Sequence, residues 1–239
     1  MPDSNSGRVF VRPGFRWDAA DAYLFDIDGT LLNSRDAVHY FAFHNAVQAV
    51  LGIEASVDGV PVHGNTDVGI LRAVLHRAGL GDAAIDANMA KIVAHMSAEV
   101  ERNHEQLRPE ICPSILEVIS HLQAQGKLLG AASGNLEPIG WLKLEKAGLR
   151  PKFAFGSFSF PRESRTDIFR HGIELARQKM GKQASVMVVG DTPSDIEAAR
   201  AVGVPVITLA TGIFSFDELK SHNPDACFGC GTDLLTLSA

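Results

Sequence analysis

The sequence predicts an α/β fold in which a Rossmann-like, mostly parallel sheet forms the core and a helical cap domain is inserted after the first strand. Apolar strand patterns alternate with helical patterns after Arg108, as expected when crossover helices join parallel strands. Residues 34–108 instead contain helical patterns and no convincing strand. The 239 residues suffice for one large domain or two modest ones. We therefore predict a core of residues 1–33 and 109–239 and a cap of residues 34–108.

The first strand is predicted at residues 22–26, after a polar, turn-rich segment that contains the short apolar run 9–11. Three cap helices follow. Ser34 or Asp36 caps the first, which Gly52 ends; Thr66 caps the second, which Gly79 or Gly81 ends; Asp82 begins the third. Their apolar faces, at helical spacing, comprise Tyr40, Phe43, Val47, Val50 and Leu51; Ile70, Leu71, Val74, Leu75 and Ala78; and Ile85, Met89, Ile92, Met96 and Val100.

The second half alternates between helix and strand. Pro113 suits the first turn of a helix that buries Ile115, Ile119 and Leu122. Strands are predicted at 127–132, 153–155, 185–189, 204–209 and 226–228, and helices at 137–147 and 167–180. The latter helix places Phe169, Ile173, Ala176 and Met180 on one face. Thr192 caps a further helix, in which Pro193 takes the first position, and Gly203 ends it.

Composition and charge exclude several classes of function. The formal charge of −6 and the lack of a dense basic run argue against nucleic-acid binding. Residues 1–17 lack the apolar core of a signal peptide, and no apolar stretch reaches membrane-spanning length. Cys227 and Cys230 have CxxC spacing without a second pair, so the three cysteines are interpreted as ordinary thiols of a reducing compartment. We expect a cytoplasmic protein; its oligomeric state is left open.

Three predicted strands run directly into carboxylates or small polar residues. The three groups are Asp26, Asp28 and Thr30; Ser133, Gly134 and Asn135; and Asp191 and Asp195. Any one group could be an ordinary turn or helix cap. In a parallel sheet, however, all three lie at the carboxyl edge, where open α/β folds place their chemistry.

Four carboxylates at one edge are costly without a cation. Mg²⁺ prefers oxygen ligands and shares its coordination shell with phosphate oxygens. Ser133 and the backbone N–H groups after it can donate to a phosphate, and the positive end of the helix that begins near Pro193 lies nearby. The pattern therefore favours a small phosphorylated substrate.

The motifs resemble those of the haloacid dehalogenase-like (HAD) phosphohydrolases. Residues 26–30 (Asp-Ile-Asp-Gly-Thr) are similar to motif I, residues 131–135 to motif II and residues 190–195 to motif IV. The helical insertion, with Gly-Asn-Thr-Asp at residues 64–67, resembles the C1 cap of the phosphoglycolate phosphatase-like branch. The resemblance covers residues 21–210.

The resemblance implies a role for each strand-end residue. Asp26 would be the nucleophile that forms an aspartyl-phosphate, and Asp28 would protonate the leaving alcohol and then deprotonate the attacking water. Mg²⁺ would bind the carboxylates of Asp26 and Asp191 and the backbone carbonyl of Asp28, with Asp195 bound through water or orienting the ligands. Ser133, with Gly134 beside it, would bind the transferring phosphoryl group.

Motif III departs from the family pattern, because the usual lysine is missing from residues 160–169. An arginine can hold a phosphate or carboxylate in bidentate fashion. Arg165 is the first choice for this role and Arg162 the second; the remaining alternative is that Lys182, or no residue, supplies the charge.

Five further residues have a structural explanation beside a possible role in the site. Asn135 and Thr30 are possible phosphate-site residues, but a helix cap and a turn explain them as well. His63 is interpreted as a solvated loop histidine. Asn65 and Thr66 could touch substrate, although an N-cap role accounts for Thr66.

The leading functional hypothesis is a Mg²⁺-dependent phosphatase for a small monoester such as phosphoglycolate or a sugar phosphate. A phosphomutase remains open, because it would share the core residues. A dehalogenase is disfavoured because Asp28 and Asp191 suit phosphoryl transfer, and a phosphonatase because Lys91 is the only cap lysine. A weakly catalytic binding or regulatory protein is the alternative from another class, and the missing motif III lysine is its support.

Overall fold

The computed structural model describes residues 7–238, which form a seven-stranded sheet, a two-stranded sheet and nine helices. In chain order the elements are β1 (Val9–Val11), β2 (Ala22–Phe25), β3 (Leu32–Ser34), α1 (Val38–Leu51), α2 (Asp67–Arg77), α3 (Asp82–Arg102), β4 (Pro109–Ile111), α4 (Ile115–Ala124), β5 (Leu128–Leu136), α5 (Glu137–Lys146), β6 (Phe155–Ser159), α6 (Arg165–Met180), β7 (Val186–Gly190), α7 (Pro193–Ala201), β8 (Val206–Leu209), α8 (Phe216–Ser221), β9 (Ala226–Phe228) and α9 (Gly231–Leu235).

The large sheet confirms the predicted fold class. Its order is β1-β9-β8-β7-β2-β5-β6, and every pairing is parallel except that of β1 with β9. The central strand β2 lies between β5 and β7, with Phe25 opposite Ala131 and Val189. The residues that follow these three strands therefore meet at one carboxyl edge.

The helices α1, α2 and α3 enclose an apolar cluster of their own, which extends onto Leu136 and Ile139 at the start of α5. Strands β3 and β4 pair antiparallel where the chain leaves and re-enters the core. The sequence does not predict these two strands, because each has only three residues. The boundary at 33/34 falls within β3 and that at 108/109 lies directly before β4. Both boundaries remain our proposal, and residues 1–6 of the proposed core lie outside the described range.

Most predicted element ends are confirmed. Gly52 ends α1 in the left-handed conformation, the Thr66 side chain caps α2, and α3 begins at Asp82. At α7 the Thr192 hydroxyl accepts a hydrogen bond from the Asp195 N–H, with Pro193 in the first turn. The run 9–11 forms β1, an edge strand.

Several sequence predictions are wrong in detail. Tyr40 and Met180, placed on buried faces, are 47% and 44% exposed. The strand expected at 153–155 begins only at Phe155 and continues to Ser159, and the strand expected to end at residue 132 runs to Leu136. The start of α1, in contrast, agrees with one of the two predicted alternatives, because Asp36 accepts a hydrogen bond from the first N–H of the helix, at Val38. Each difference lies at an element end, where helical or strand periodicity carries the least information.

Within residues 7–238, the helices are all too short or too polar to span a lipid bilayer. The three cysteines are buried and free, in agreement with their interpretation as ordinary thiols.

Candidate active site

The three polar strand ends meet in a cleft of about 280 Å³ between the sheet edge and the helices α1 and α2. The core side contributes Asp26, Asp28, Ser133, Gly134, Asn135, Lys143, Arg165, Asp191 and Thr192. The facing side is formed by residues 34–70, mainly aromatic, aliphatic and histidine side chains. Residues more than 100 positions apart in sequence thus line one small space.

The acidic cluster, which comprises Asp26, Asp191 and Asp195, surrounds the guanidinium of Arg165. Arg165 Nη1 lies 3.0 Å from Asp26 Oδ2 and 2.7 Å from Asp195 Oδ1. All four side chains are buried. Asp195 Oδ2 accepts hydrogen bonds from the Asp191 and Thr192 N–H groups and the Thr192 hydroxyl. Asp195 therefore orients the start of α7 and fixes Arg165, and both of its oxygens are engaged.

Burial and mutual repulsion disfavour the charged form of the three carboxylates in the acidic cluster. Burial raises the pKa of Asp26 to about 6; Arg165 opposes this effect, and Asp195 adds to it. Burial, with Asp26 and Asp195, also holds the pKa of Asp191 well above its ordinary value. One arginine therefore does not compensate the whole cluster, which favours the binding of a further positive charge.

The donor set fits a hard cation. One carboxylate oxygen from each of Asp26, Asp191 and Asp195 lies within 4.8 Å of the others. Asp26 Oδ1 is buried and has no hydrogen-bond partner among the described residues. Gly29 has φ +84°, and a Cβ atom there would lie 2.1 Å from Asp191 Oδ2, so glycine keeps this oxygen accessible. An unpaired carboxylate oxygen among raised-pKa acids is the arrangement that Mg²⁺ ligation would satisfy.

The Lys143 cluster, which comprises Lys143, Asp28, Asn135, His39 and Asp67, occupies the other side of the cleft. Lys143 Nζ lies 2.9 Å from both carboxylate oxygens of Asp28, 3.0 Å from Asn135 Oδ1 and 3.1 Å from His39 Nδ1. Lys143 is buried, whereas the Asp28 side chain is 42% exposed to the cleft. Asp28 therefore has a counter-charge of its own.

This pairing changes the ionisation of Asp28. Burial opposes the charged form, but Lys143 and the Asn135 amide outweigh it, so that the pKa of Asp28 lies below its ordinary value. The Asn135 Nδ2 group donates to Asp28 Oδ2 at 2.6 Å and to Ser133 Oγ at 2.9 Å. The interpretation of Asn135 as a helix cap is thus wrong: Leu136 is the N-cap residue of α5, and no side chain caps that helix.

The remaining motif residues frame the space between the two clusters. Ser133 is buried at the floor of the cleft. A Cβ atom on Gly134 would lie 2.4 Å from the Asn65 carbonyl oxygen, so a glycine lets the loop at 60–66 approach the core. The Thr30 hydroxyl donates to Asp191 Oδ1 at 2.9 Å and so orients that carboxylate, which gives Thr30 more than a turn role.

The alternatives for motif III are separated in space. Arg162 donates to the Phe158 carbonyl and Lys182 is exposed, whereas Arg165 contacts the acidic cluster. His63 is exposed at the rim of the cleft. Thr66 caps α2, and its hydroxyl donates to the Glu163 carbonyl.

Sequence reasoning missed Lys143, His39 and Asp67. Lys143 carried a detectable signal, because it lies four residues after Ile139 on the buried face of α5, where an apolar residue is expected. His39 precedes Phe43 by four residues on α1, next to the predicted apolar face. Asp67 resembles an ordinary acidic residue in a first helical turn.

A family model described as haloacid dehalogenase-like hydrolase matches residues 20–203. A phosphoglycolate phosphatase of Synechococcus elongatus is 27% identical over 221 residues, which cover 90% of this chain and 95% of the relative. A pyrophosphatase PpaX of Bacillus pumilus is 23% identical over 219 residues, with 90% and 94% covered.

Solved structures share the fold. A predicted phosphoglycolate phosphatase from Haemophilus somnus aligns with a TM-score of 0.65 at 22% identity, covering 92% of this chain and 98% of that one. CbbY from Rhodobacter sphaeroides, in complex with xylulose-(1,5)bisphosphate, aligns with a TM-score of 0.65 at 18% identity, covering 89% and 95%. At these identities the likeness shows the architecture.

Proposed function

The chain belongs to the haloacid dehalogenase-like hydrolases, and from that membership we propose that it is a Mg²⁺-dependent phosphatase acting on a small phosphate monoester through an aspartyl-phosphate. The observation that carries the proposal is the placement of two aspartates in one cleft, Asp26 beside Arg165 and Asp28 beside Lys143. The phosphoglycolate phosphatase relatives support the substrate class.

In this proposal Asp26 attacks the phosphorus atom. Arg165 Nη1 lies 3.0 Å from Asp26 Oδ2 and fixes the orientation of the side chain. A carboxylate in this state is a competent nucleophile for covalent catalysis. The Ser133 hydroxyl and the N–H groups at the end of β5 receive the phosphoryl oxygens.

Asp28 handles the protons. It would take one from the water that attacks the acyl phosphate and pass that same proton to the leaving alkoxide of the next turnover, as the new Asp26–phosphate bond forms. The 42% exposure of its side chain lets it reach both partners in the cleft.

Asp26 and Asp191 would hold the Mg²⁺ ion, with the backbone carbonyl of Asp28, and Asp195 would orient them. When bound, the ion supplies positive charge that offsets these carboxylates and the phosphate oxygens.

The cleft supports a small substrate. Its volume of about 280 Å³ lies at the low end of ligand sites, and helices α1 and α2 cover it from above. CbbY, which binds a sugar bisphosphate, has a similar fold. A cytoplasmic location remains a prediction, supported by three free, buried cysteines.

The alternative functions lose support to different degrees. The missing motif III lysine favoured a binding protein, but Arg165 supplies a positive charge 3.0 Å from Asp26. Lys91 is exposed on α3, away from the cleft lining, which disfavours a phosphonatase. A phosphomutase would use the same core residues, and product analysis distinguishes it from a hydrolase.

The test is hydrolysis of p-nitrophenyl phosphate, followed by a panel of phosphate esters that includes 2-phosphoglycolate and sugar phosphates. We expect turnover with Mg²⁺, none with EDTA, and a loss of at least about 10³-fold for Asp26→Asn, because no nucleophile remains. Asp217→Asn, which alters an exposed carboxylate on α8, is the matched control and retains activity.

The outcomes against the proposal are distinct. Turnover that persists in EDTA, or in Asp26→Asn, would overturn the mechanism. An inactive protein on the whole panel would favour the binding role. Phosphate transfer to a second sugar hydroxyl, without release of inorganic phosphate, would identify a mutase.

A further inference from the structure

The Lys143 cluster joins the predicted cap to Asp28, the residue proposed to transfer protons. The chemistry of its members limits which atoms donate and which accept. An ammonium group has three protons, and Lys143 Nζ faces three acceptor groups: the Asp28 carboxylate, Asn135 Oδ1 and His39 Nδ1. Since the ammonium group can only donate, His39 Nδ1 acts as the acceptor in this contact, and Nε2 is the nitrogen that donates on the other side of the ring. The Asn135 amide is oriented by the same argument, because its NH₂ group already donates to Asp28 and Ser133.

Asp67 completes the chain of contacts. Its Oδ2 atom lies 3.2 Å from His39 Nε2, which donates to it, and also accepts the Leu136 N–H at 2.7 Å. Leu136 precedes Lys143 by seven residues, two helical turns. One buried carboxylate from α2 therefore fixes both the start of α5 and the histidine that contacts the lysine on the same face of α5.

The His39 ring has contacts on one face and at both of its nitrogens. Its ring stacks on Phe43 at 5.3 Å between centroids, with an interplanar angle of 26°. Its two nitrogens are both used, one by Lys143 and one by Asp67. A ring fixed in plane and at both nitrogens has no freedom to bind substrate, which favours a positioning role.

We propose that Lys143 is a positioning residue that holds the Asp28 carboxylate for proton transfer, and that His39 and Asp67 of the cap keep Lys143 in place. The proposal rests on the phosphatase function above and deepens it, since it makes the cap part of the proton-transfer machinery as well as a cover. Because the chain Asp67–His39–Lys143–Asp28 crosses between cap and core, correct placement of Asp28 depends on the cap being docked.

A pair of matched substrates distinguishes this role from a structural one. Phenyl phosphate and p-nitrophenyl phosphate differ by one nitro group, but phenolate is the more basic leaving group and needs a proton more. Misplacing Asp28 should therefore lower kcat/KM for phenyl phosphate much more than for p-nitrophenyl phosphate. A general loss of folded protein would lower both by the same factor.

We expect Lys143→Met to lower kcat/KM for phenyl phosphate by about 10²-fold, the lower range of general acid–base effects, and for p-nitrophenyl phosphate by about tenfold or less. His39→Leu should show the same selectivity with a smaller loss, since Lys143 itself remains. His39→Asn, whose side-chain oxygen can still accept from Lys143, should recover part of the loss. In an Asp28→Asn background, Lys143→Met should add little, because the group it positions is gone.

Two control variants match the position and chemistry of these changes. Lys146→Met, on the same helix, removes an exposed ion pair to Glu105 in the predicted cap. His44→Asn, on α1, alters an exposed histidine whose Nδ1 atom lies 2.8 Å from the Ala55 carbonyl oxygen. Both should leave the ratio between the two substrates unchanged.

Equal losses on the two substrates for Lys143→Met, or full activity of that variant, would overturn the inference while leaving the phosphatase intact. Retained hydrolysis in Asp26→Asn would instead refute the phosphatase mechanism, and the inference with it. If Lys143→Met fails to fold, the His39 pair decides: a larger loss on phenyl phosphate than on p-nitrophenyl phosphate in His39→Leu, with partial recovery in His39→Asn, supports the inference, and identical kinetics of the two variants contradicts it.

Discussion

Asp26 and Asp28 are the same residue type, two positions apart, yet their surroundings on the two sides of the cleft shift their pKa values in opposite directions. Asp26 shares one arginine with Asp195 and lies near Asp191, and its pKa is raised to about 6, chiefly by burial. Asp28 has a lysine and an amide to itself, and these outweigh burial so that its pKa falls below the ordinary value. The pKa values of Asp26 and Asp28 therefore differ because Asp28 has a cationic partner to itself, whereas Asp26 shares one with another carboxylate.

This asymmetry separates the two chemical tasks. The under-compensated acidic cluster is poised to take up positive charge, as a phosphate-transfer site using Mg²⁺ requires. In the Lys143 cluster the ammonium group pairs directly with Asp28, so the Asp28 carboxylate has a defined position whether or not a metal binds. In the proposed mechanism, Asp26 and Asp28 take different roles because long-range contacts give the two aspartates different surroundings.

The largest expected effect comes from removing the shared arginine. Arg165→Met should lower the free energy of unfolding by about 3–5 kcal/mol, the usual cost of leaving buried charges without their partner. Mg²⁺ should restore part of this loss, because it also compensates the acidic cluster. Urea unfolding with and without Mg²⁺ measures both effects. Arg162→Met is the control and should change stability by about 0.5 kcal/mol or less; an equal loss in both variants would contradict the assignment of Arg165.

The next effect is the pH dependence of Mg²⁺ stabilisation. Asp26 and Asp191 have raised pKa values, so protons compete with the cation at acidic pH. The Mg²⁺-induced rise in Tm should therefore be larger at pH 7.5 than at pH 5.5. In metal-free protein the sign is reversed: the folded-state pKa of Asp26, about 6, exceeds its ordinary value of 3.8, so its stabilising contribution is full below pH 3.8 and is lost as the pH rises to about 6.

Thermal unfolding at the two pH values checks this. Asp191→Asn should remove most of the Mg²⁺ effect. A rise in Tm that is independent of pH would show that the cation binds elsewhere.

The smallest effect tests how Asp195 is held. Thr192→Ala should cost about 1 kcal/mol, as for other N-caps, and should lower activity because Thr192 donates to the Asp195 carboxylate that fixes Arg165. Ser215→Ala removes the equivalent capping box of α8, away from the cleft, and should cost a similar free energy without loss of kcat. Equal activity in the two variants would show that Asp195 needs no help from Thr192.

The sequence predicts one side of the cleft better than the other. The strand ends at Asp26, Ser133 and Asp191 follow from local patterns, and parallel pairing brings them together. Caps such as Thr66 and Thr192 are equally local signals and are confirmed. The predicted choice of Arg165 over Arg162 depended on its position before a helix, and the structure places its guanidinium against Asp26.

The Lys143 cluster was not predicted because its members come from α1, α2, β5 and α5 and meet only in the folded structure. No local pattern links His39 to a lysine 104 positions later. The one local sign was a lysine at a buried helical position, which is rare for an unpaired charge. Tertiary placement also exposed Tyr40, although its spacing resembles that of its buried neighbours.

The most direct test of the difference between the two aspartates is the stability of Asp26→Asn and Asp28→Asn, measured side by side by urea unfolding of metal-free protein at pH 7.5. Asp26→Asn removes a costly buried charge and should raise the free energy of unfolding by about 1–3 kcal/mol, since a tenfold change in a protonation constant is worth about 1.4 kcal/mol. Asp28→Asn deprives Lys143 of its counter-charge and should lower it by about 1 kcal/mol, a value kept small by solvent screening. Opposite signs are the predicted result; changes in the same direction would contradict the account.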